Sequence, residues 1–409
     1  MSSIAIFPCS FTPADDVIKD IADSLVLNLY QDNDLFIDTS RRYGSSVEKL
    51  QQALYGKTSV FNQFTLEKEK SLNQLKSVLG EKLVSHEHFL FSGSLVFLIT
   101  EQISHVLKVL VADTKRSRVE GAMQLKQLSE KEAQKAVRLD DLKAYYLTDF
   151  LFKKEAYDSS LYDLVVPVEG RSKAGLATII SQNFHKTSVL RTSESQLEAE
   201  DLLLECRVNF ALLNSGHKMK VVVKNGSVKL KVEKSVLNFD KLVEELKTIV
   251  SNQVDGVKDV IVEKSPEYND SIYRRQKFDL PSKVLFVDDE KEFVQTVSER
   301  LISRDVGTFG VFNGEDALNV IAEDRPDVMV LDLKMPGIYG VEVLRQAKEM
   351  APEVEVIILT GHGTHQDMMD CMQLGAFAYM NKPVDIEELS ANIKAANEKV
   401  MAERLQAVA

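Results

Sequence analysis

Cysteine is scarce: Cys9, Cys206 and Cys371 are the whole complement of a 409-residue chain. They stand in three unrelated contexts, which excludes a disulfide framework and the paired spacing of a zinc site, so buried thiols are expected. Positive charge is also in deficit. A formal net charge of −12 argues against a protein that coats nucleic acid, although a local basic face stays open. Long apolar runs are missing. The longest such stretch, residues 89–112, is broken by Glu101, His105 and Lys108, too polar to cross a hydrocarbon core comfortably. No charged-then-apolar leader opens the chain, and a cytoplasmic location is expected. Apolar residues as a class are not short: 44% apolar against 27% charged is the balance of packed globular domains. The length calls for roughly two to four of them.

The N-terminus lacks something more specific. Ile4-Ala5-Ile6-Phe7 reads as a strand, and a helix should start near Thr12 or Pro13, since a hydroxyl cap, a proline and Asp15-Asp16 suit its positive end. A strand, a turn and a helix in this order are where a phosphate-cradling loop would lie. Residues 8–13 supply neither its glycines nor its lysine, and two carboxylates stand where phosphates would go. Helical spacing follows over 47–83 and 95–103, then a buried strand over 106–112. A helix over 129–152 opens on a Ser129/Glu132 capping box, and a strand covers 162–166. Strands alternating with helices imply an α/β domain with a mainly parallel sheet.

His105-Val106-Leu107-Lys108-Val109-Leu110-Val111-Ala112, then Arg116 and Arg118, then Arg138-Leu139-Asp140-Asp141-Leu142-Lys143-Ala144-Tyr145-Tyr146, then Tyr162-Asp163-Leu164-Val165 form a pattern. It resembles the cytidylate-kinase-like branch of the P-loop nucleoside monophosphate kinases, over roughly residues 1–190. The resemblance implies a P-loop-kinase-like fold in which Arg116, Arg118 and Arg138 are remnants of an anion-binding set. Lys143 stands where that family tends to carry arginine, and lysine cannot clamp a phosphate bidentately. A solvated charged face explains the same residues. With the glycine loop missing, a working kinase is not expected.

Residues 195–265 read as a small α+β module. A helix over 194–214 precedes two alternating strands, 218–223 and 227–232, joined by Asn225-Gly226, a strong hairpin signal. A helix over 240–253, Asp255-Gly256-Val257 and a strand over 260–262 complete a pattern that resembles a BON-type module. Lys218, Lys220, Lys224, Lys229, Lys231 and Lys234 give it a basic surface, suited to an anionic partner or simply to keeping a hairpin edge soluble. Residues 266–281, with two prolines and little periodicity, read as a linker.

The last domain, 282–402, carries the clearest signal. Five strand–helix units in sequence suit a doubly wound five-stranded parallel sheet. The first strand runs into Asp288-Asp289, the third into Asp332, the fourth into Thr360 and the fifth into Lys382. A parallel sheet gathers those ends at one edge. Three carboxylates together repel unless a cation joins them, and a hard divalent ion such as Mg²⁺ suits oxygen ligands. Lys382 adds a point charge and Thr360 a hydroxyl, which makes a cradle for a phosphoryl group on Asp332. Asp288-Asp289, Asp332 with Lys334-Met335-Pro336-Gly337, Thr360-Gly361 and Lys382-Pro383 resemble the receiver domain of two-component response regulators, a flavodoxin-like fold of strand order 2-1-3-4-5. The resemblance implies that Asp332 accepts phosphate from a histidine kinase or phosphotransfer protein. It also implies that Asp288, Asp289, Asp332 and the Lys334 carbonyl hold Mg²⁺, and that Thr360 and Tyr379 form the switch. His362, in a glycine-rich loop, is expected as an exposed loop residue.

The chain is therefore expected to be a phosphorelay response regulator acting on its own N-terminal domains, with a homodimer through the receiver as one mode. Two alternatives are a receiver-gated nucleoside monophosphate kinase and a non-catalytic scaffold. No DNA-reading module is visible in the sequence.

Overall fold

The computed structural model describes residues 2–236, 238–272, 283–304, 306–361 and 363–408. It contains two compact units, Met1–Thr58 with Glu67–Arg274, and Ser59–Leu66 with Arg275–Ala409. No helix among the described residues is long and apolar enough to cross a membrane.

In the first unit, β1 (Ser3–Pro8), β2 (Asn28–Gln31), β3 (Phe89–Ser92), β4 (Val106–Ala112) and β5 (Leu164–Pro167) form a parallel sheet of order β2-β3-β1-β4-β5. The central strand β1 is buried on both faces, which is why it is apolar at every position from 4 to 7. Ile4 and Ile6 join one core with Val17, Ile18 and Ile21, while Ala5 and Phe7 join the other with Phe36, Leu79 and Phe91. The helix Glu130–Phe152 opens on the expected Ser129/Glu132 capping box.

Two expectations for this unit need correction. The helical spacing over 47–83 is not one helix: Val47–Tyr55 stops before Gly56, and Glu67–Val84 begins after Leu66, whose φ is 52°. Of the residues between them, Ser59–Leu66 belong to the second unit. Residues 95–103 hold only a short 3₁₀ turn, Ser94–Leu98, that follows Gly93 at φ 116°. There Asp32 accepts the backbone N–H groups of Ser94 and Leu95 at 2.8 Å each, and the Tyr55 hydroxyl at 2.8 Å. A buried carboxylate thus serves turn donors that no helix satisfies. Strands β2 and β3, four residues each, were not anticipated.

The same unit contains the middle module. Helix Ser193–Asn214, β6 (Lys220–Lys224), β7 (Ser227–Ser235), helix Phe239–Gln253 and β8 (Asp259–Ile272) follow in order. The sheet β6-β7-β8 pairs the first two strands antiparallel and the last two parallel. Asn225 and Gly226 form the turn with φ of 52° and 79°, their N–H groups held by Asp201 at 2.5 and 2.9 Å. The inward face of β7, Val228, Leu230 and Val232, packs on Leu242, Leu246 and Val250. Strand β8 continues through Ile272, so the first part of the expected linker is sheet; residues 273–282 lie outside the described residues.

In the second unit, β9 (Val284–Val287), β10 (Thr308–Val311), β11 (Val328–Leu331), β12 (Glu355–Thr360) and β13 (Ala378–Asn381) form a parallel sheet of order β10-β9-β11-β12-β13. This is the flavodoxin-like 2-1-3-4-5 order. Leu285, Val287, Met329, Leu331, Val356 and Ile358 face one core, and Val284, Phe286, Val328, Val330, Ile357 and Leu359 face the other. The last helix, Ile386–Val408, runs past residue 402, where the sequence placed the end of the domain.

Asp32→Ala should strip an acceptor from two buried turn N–H groups and lower the first unit's stability by on the order of 3 kcal/mol. Asp32→Asn, which keeps one oxygen, should cost less. Urea unfolding midpoints check both.

Candidate functional site

The register of the second sheet builds the site. Val287 pairs beside Val311 and Leu331, Leu331 beside Ile358, and Thr360 beside Asn381. The residues that follow these partners therefore emerge at one edge of the sheet. Asp288 N–H donates to the Val311 carbonyl at 3.2 Å and Asp332 N–H to Val287 at 2.9 Å, so each backbone is pinned one residue beyond its strand. Apolar strands stop in polar side chains here because the edge lies at the limit of the packed interior.

Asp288, Asp289 and Asp332 each present a carboxylate oxygen within 4.8 Å of the other two. Asp288 and Asp332 are buried and Asp289 is exposed. Lys382 Nζ lies 2.7 Å from Asp288 Oδ2, 3.2 Å from Asp332 Oδ2 and 3.2 Å from Glu290 Oε1. It also stands 4.5 Å from the Phe293 ring centroid. Burial alone would lower the lysine's pKa, but Asp288 and Asp332 outweigh it and raise it to about 12. Burial pushes the Asp288 carboxyl up, against the opposing pull of Lys382 and the Glu290 N–H. The set is hard, oxygen-rich and anionic, which fits a small divalent cation such as Mg²⁺.

The turn after Asp332 is tight. Lys334 N–H reaches back to Asp332 Oδ1 at 3.3 Å, and Lys334 itself is exposed. A Cβ on Gly340 would lie 2.4 Å from the Asp332 carbonyl oxygen, so glycine is required where the next helix begins. Thr360 is fully buried at the end of β12. Tyr379, half-buried on β13, packs its ring against the core that contains Val356 and Ile358. Its hydroxyl is buried without a hydrogen-bond partner among the described residues and occupies the space of a side chain at Gly363: a Cβ there would lie 1.6 Å away.

The structure therefore brings Asp288, Asp289, Asp332, Thr360 and Lys382 to one edge, with Lys334 and Tyr379 beside it. Sequence reasoning missed Glu290, Phe293 and Gly363. Glu290 was readable as the third acid of one run. Nothing local marks Gly363, whose role is to leave room. His362 lies outside the described residues.

The three arginines expected as anion-binding remnants stand in three different settings. Arg118 is buried and turned onto its own domain, donating to the Ser10 carbonyl at 3.2 Å, Ser10 Oγ at 2.7 Å and Asp141 Oδ1 at 2.6 Å. The Tyr157 hydroxyl donates to the same Asp141 oxygen at 2.6 Å. Arg116 pairs with Glu120 at 3.0 Å on the surface, and Arg138 is exposed. The Arg118 guanidinium, beside a glycine-free loop, is held by oxygens of that loop's own Ser10.

Two family models match the chain: the response regulator receiver domain over residues 284–394 and the cytidylate kinase-like family over 12–169. Residues 170–283 lie outside both, and the likeness of the middle module to a BON domain gains no support. The chain is 34% identical over 112 residues to sporulation initiation phosphotransferase F of Bacillus subtilis (strain 168), covering 27% of this chain and 90% of that protein. Similar solved structures include a response regulator receiver domain protein from Clostridium thermocellum (33% identity, 29% of this chain, 95% of that one, TM-score 0.28). Another is the signal receiver domain of a LuxO repressor protein from Vibrio parahaemolyticus (27% identity, 30% and 95%, TM-score 0.30).

Lys382→Met should leave buried carboxylates facing each other and cost the second unit roughly 3 kcal/mol at pH 7 without divalent ions. Added Mg²⁺ should recover part of the loss. In the unmutated chain the lysine's folded pKa lies above its unfolded value of about 10.4. Its contribution is thus fully present below about pH 10 and lost as pH rises through about 12. Urea midpoints across pH, with and without Mg²⁺, check both statements. Gly363→Ala should displace the Tyr379 ring, and its cost should largely vanish in a Tyr379→Ala background. Additive costs in the double-mutant cycle would show that the two positions are independent.

Proposed function

Because the chain belongs, through its C-terminal domain, to the response regulators, we propose that Asp332 is the residue that accepts the phosphoryl group of its phosphorelay. An Asp332 carboxylate oxygen attacks phosphorus, the bond from phosphorus to the donor nitrogen breaks, and that nitrogen keeps the electron pair. The product is an acyl phosphate. The donor is a histidine kinase or a phosphotransfer protein. The observation that carries the reading is the meeting of three carboxylates within 4.8 Å, two of them bridged by one lysine.

Each residue has a distinct task. Asp288 and Asp289, with Asp332 and the Lys334 carbonyl, would hold the cation; bound there, Mg²⁺ would neutralise charge on the phosphoryl oxygens. Lys382 lies 3.2 Å from Asp332 Oδ2 and exchanges that contact for a phosphoryl oxygen as charge builds on it. The Thr360 hydroxyl donates to the new phosphoryl group. Tyr379, whose hydroxyl is unpartnered in the inward position, follows Thr360. Phosphorylation adds roughly two negative charges, and this is the input that the switch converts into a change of packing.

The N-terminal domain is read as non-catalytic. In support, the loop after β1 has neither glycine nor lysine, and Arg118 is bonded to Ser10 of that loop. Incubating the full chain with ATP and CMP should give no CDP above background; turnover that is lost in Arg118→Ala would revive the kinase reading.

The central test is a small phosphodonor reaction with Mg²⁺ on the unmutated chain and on Asp332→Ala. Unchanged labelling in the variant would sink the assignment. Asp289→Asn should retain Asp332 but weaken Mg²⁺-dependent labelling by about tenfold or more.

A further inference from the structure

The second unit is not contiguous in sequence. Residues Ser59–Leu66 belong to it, although they come between two helices of the first unit. Phe61 is fully buried in the same core as Val287, Val311, Ile321 and Leu331, and its ring meets Phe309 of β10 edge-on at 6.1 Å. Val60 N–H donates to Asp324 Oδ2 at 3.0 Å, at the end of the helix Gly314–Asp324. Phe64 lies on Gly307: a Cβ there would be 2.5 Å from the ring's Cγ. The segment fits the β10 edge of the receiver as a bound peptide fits a groove, with an aromatic anchor, a backbone hydrogen bond and a glycine floor.

That edge is tied to the phosphorylation site by structure already described. The carbonyl of Val311, last residue of β10, accepts the Asp288 N–H. Val287 and Leu331, which touch the same core as Phe61, directly precede Asp288 and Asp332. A close-packed interior transmits a shift at the strand ends rather than absorbing it. The chain leads out of the segment at both ends, through Thr58 and Glu67, into the first unit. We propose that residues 59–66 are a built-in docking peptide through which the receiver passes its state to the N-terminal half, making the β10 edge an output surface. The proposal rests on Asp332 being the phosphoacceptor.

Hydrogen exchange on the full chain tests it, with and without beryllofluoride and Mg²⁺ as an acyl-phosphate mimic. In the unmutated protein, exchange in 59–66 and 308–311 should change by about tenfold or more on adding the mimic, and Asp332→Asn should remove that response. Phe61→Ala should speed exchange in 59–66 in both states while residues 333–340 still respond; Phe61→Leu, which keeps an apolar anchor, should behave nearly as the unmutated chain. Gly307→Ala, which intrudes on Phe64 from the receiver side, should reproduce Phe61→Ala. If 59–66 exchanges alike in both states while 333–340 responds, the docking peptide is passive and the proposal fails. If 333–340 does not respond either, the reading of Asp332 fails with it.

Discussion

Everything at the receiver's edge depends on one electrostatic constraint: carboxylates gathered at the ends of buried strands must be held together by positive charge. Lys382 answers part of it, reaching Asp288, Asp332 and Glu290 with a single ammonium while Phe293 covers it from the side. An arrangement of this kind is poised. Two of its carboxylates, Asp288 and Asp332, are already desolvated, so an arriving cation or phosphoryl group meets preorganised charges rather than solvent that must be rearranged. The same constraint explains why the two central strands that lead to Asp288 and Asp332, Val284–Val287 and Val328–Leu331, are apolar at every position. A polar residue one step earlier would be buried without the partners found at the edge.

Because the strands pack on both faces, the receiver was legible from sequence. Runs of four apolar residues that end abruptly in acid, hydroxyl or lysine leave few interpretations, and the register then converts separate strand ends into neighbours. What escaped was contact without local signature. Glu290 and Phe293 become site residues only because Lys382 returns to them from β13. Gly363 matters for the atoms it omits, since the Tyr379 hydroxyl fills that space.

The first unit was less readable for a related reason. Strands β2 and β3 are four residues each, too short for alternation to register, and the second was absorbed into a longer apolar stretch. Helical spacing over 47–83 was real at both ends but said nothing of the break, because residues 59–66 answer to a core made of residues far along the chain. Arg118 was read as a survivor of an anion site from its position after a strand. Its burial against Ser10 and Asp141 gives it a structural task that its position in the sequence does not announce. In the middle module, by contrast, Asn225-Gly226 announced its turn correctly, since a two-residue hairpin is specified locally.

The discontinuity of the second unit also bears on biogenesis. Phe61 and Phe64 leave the ribosome after Met1–Thr58 but before Glu67–Arg274 of the first unit, and well before β9 and β10 exist to receive them. At ordinary elongation rates of about 5–20 residues per second, the two rings wait on the order of tens of seconds for their groove. During that interval they are an aromatic, unburied loop, a natural hold for a chaperone and a hazard if synthesis stalls. Completion of the receiver is therefore also the event that conceals the two rings.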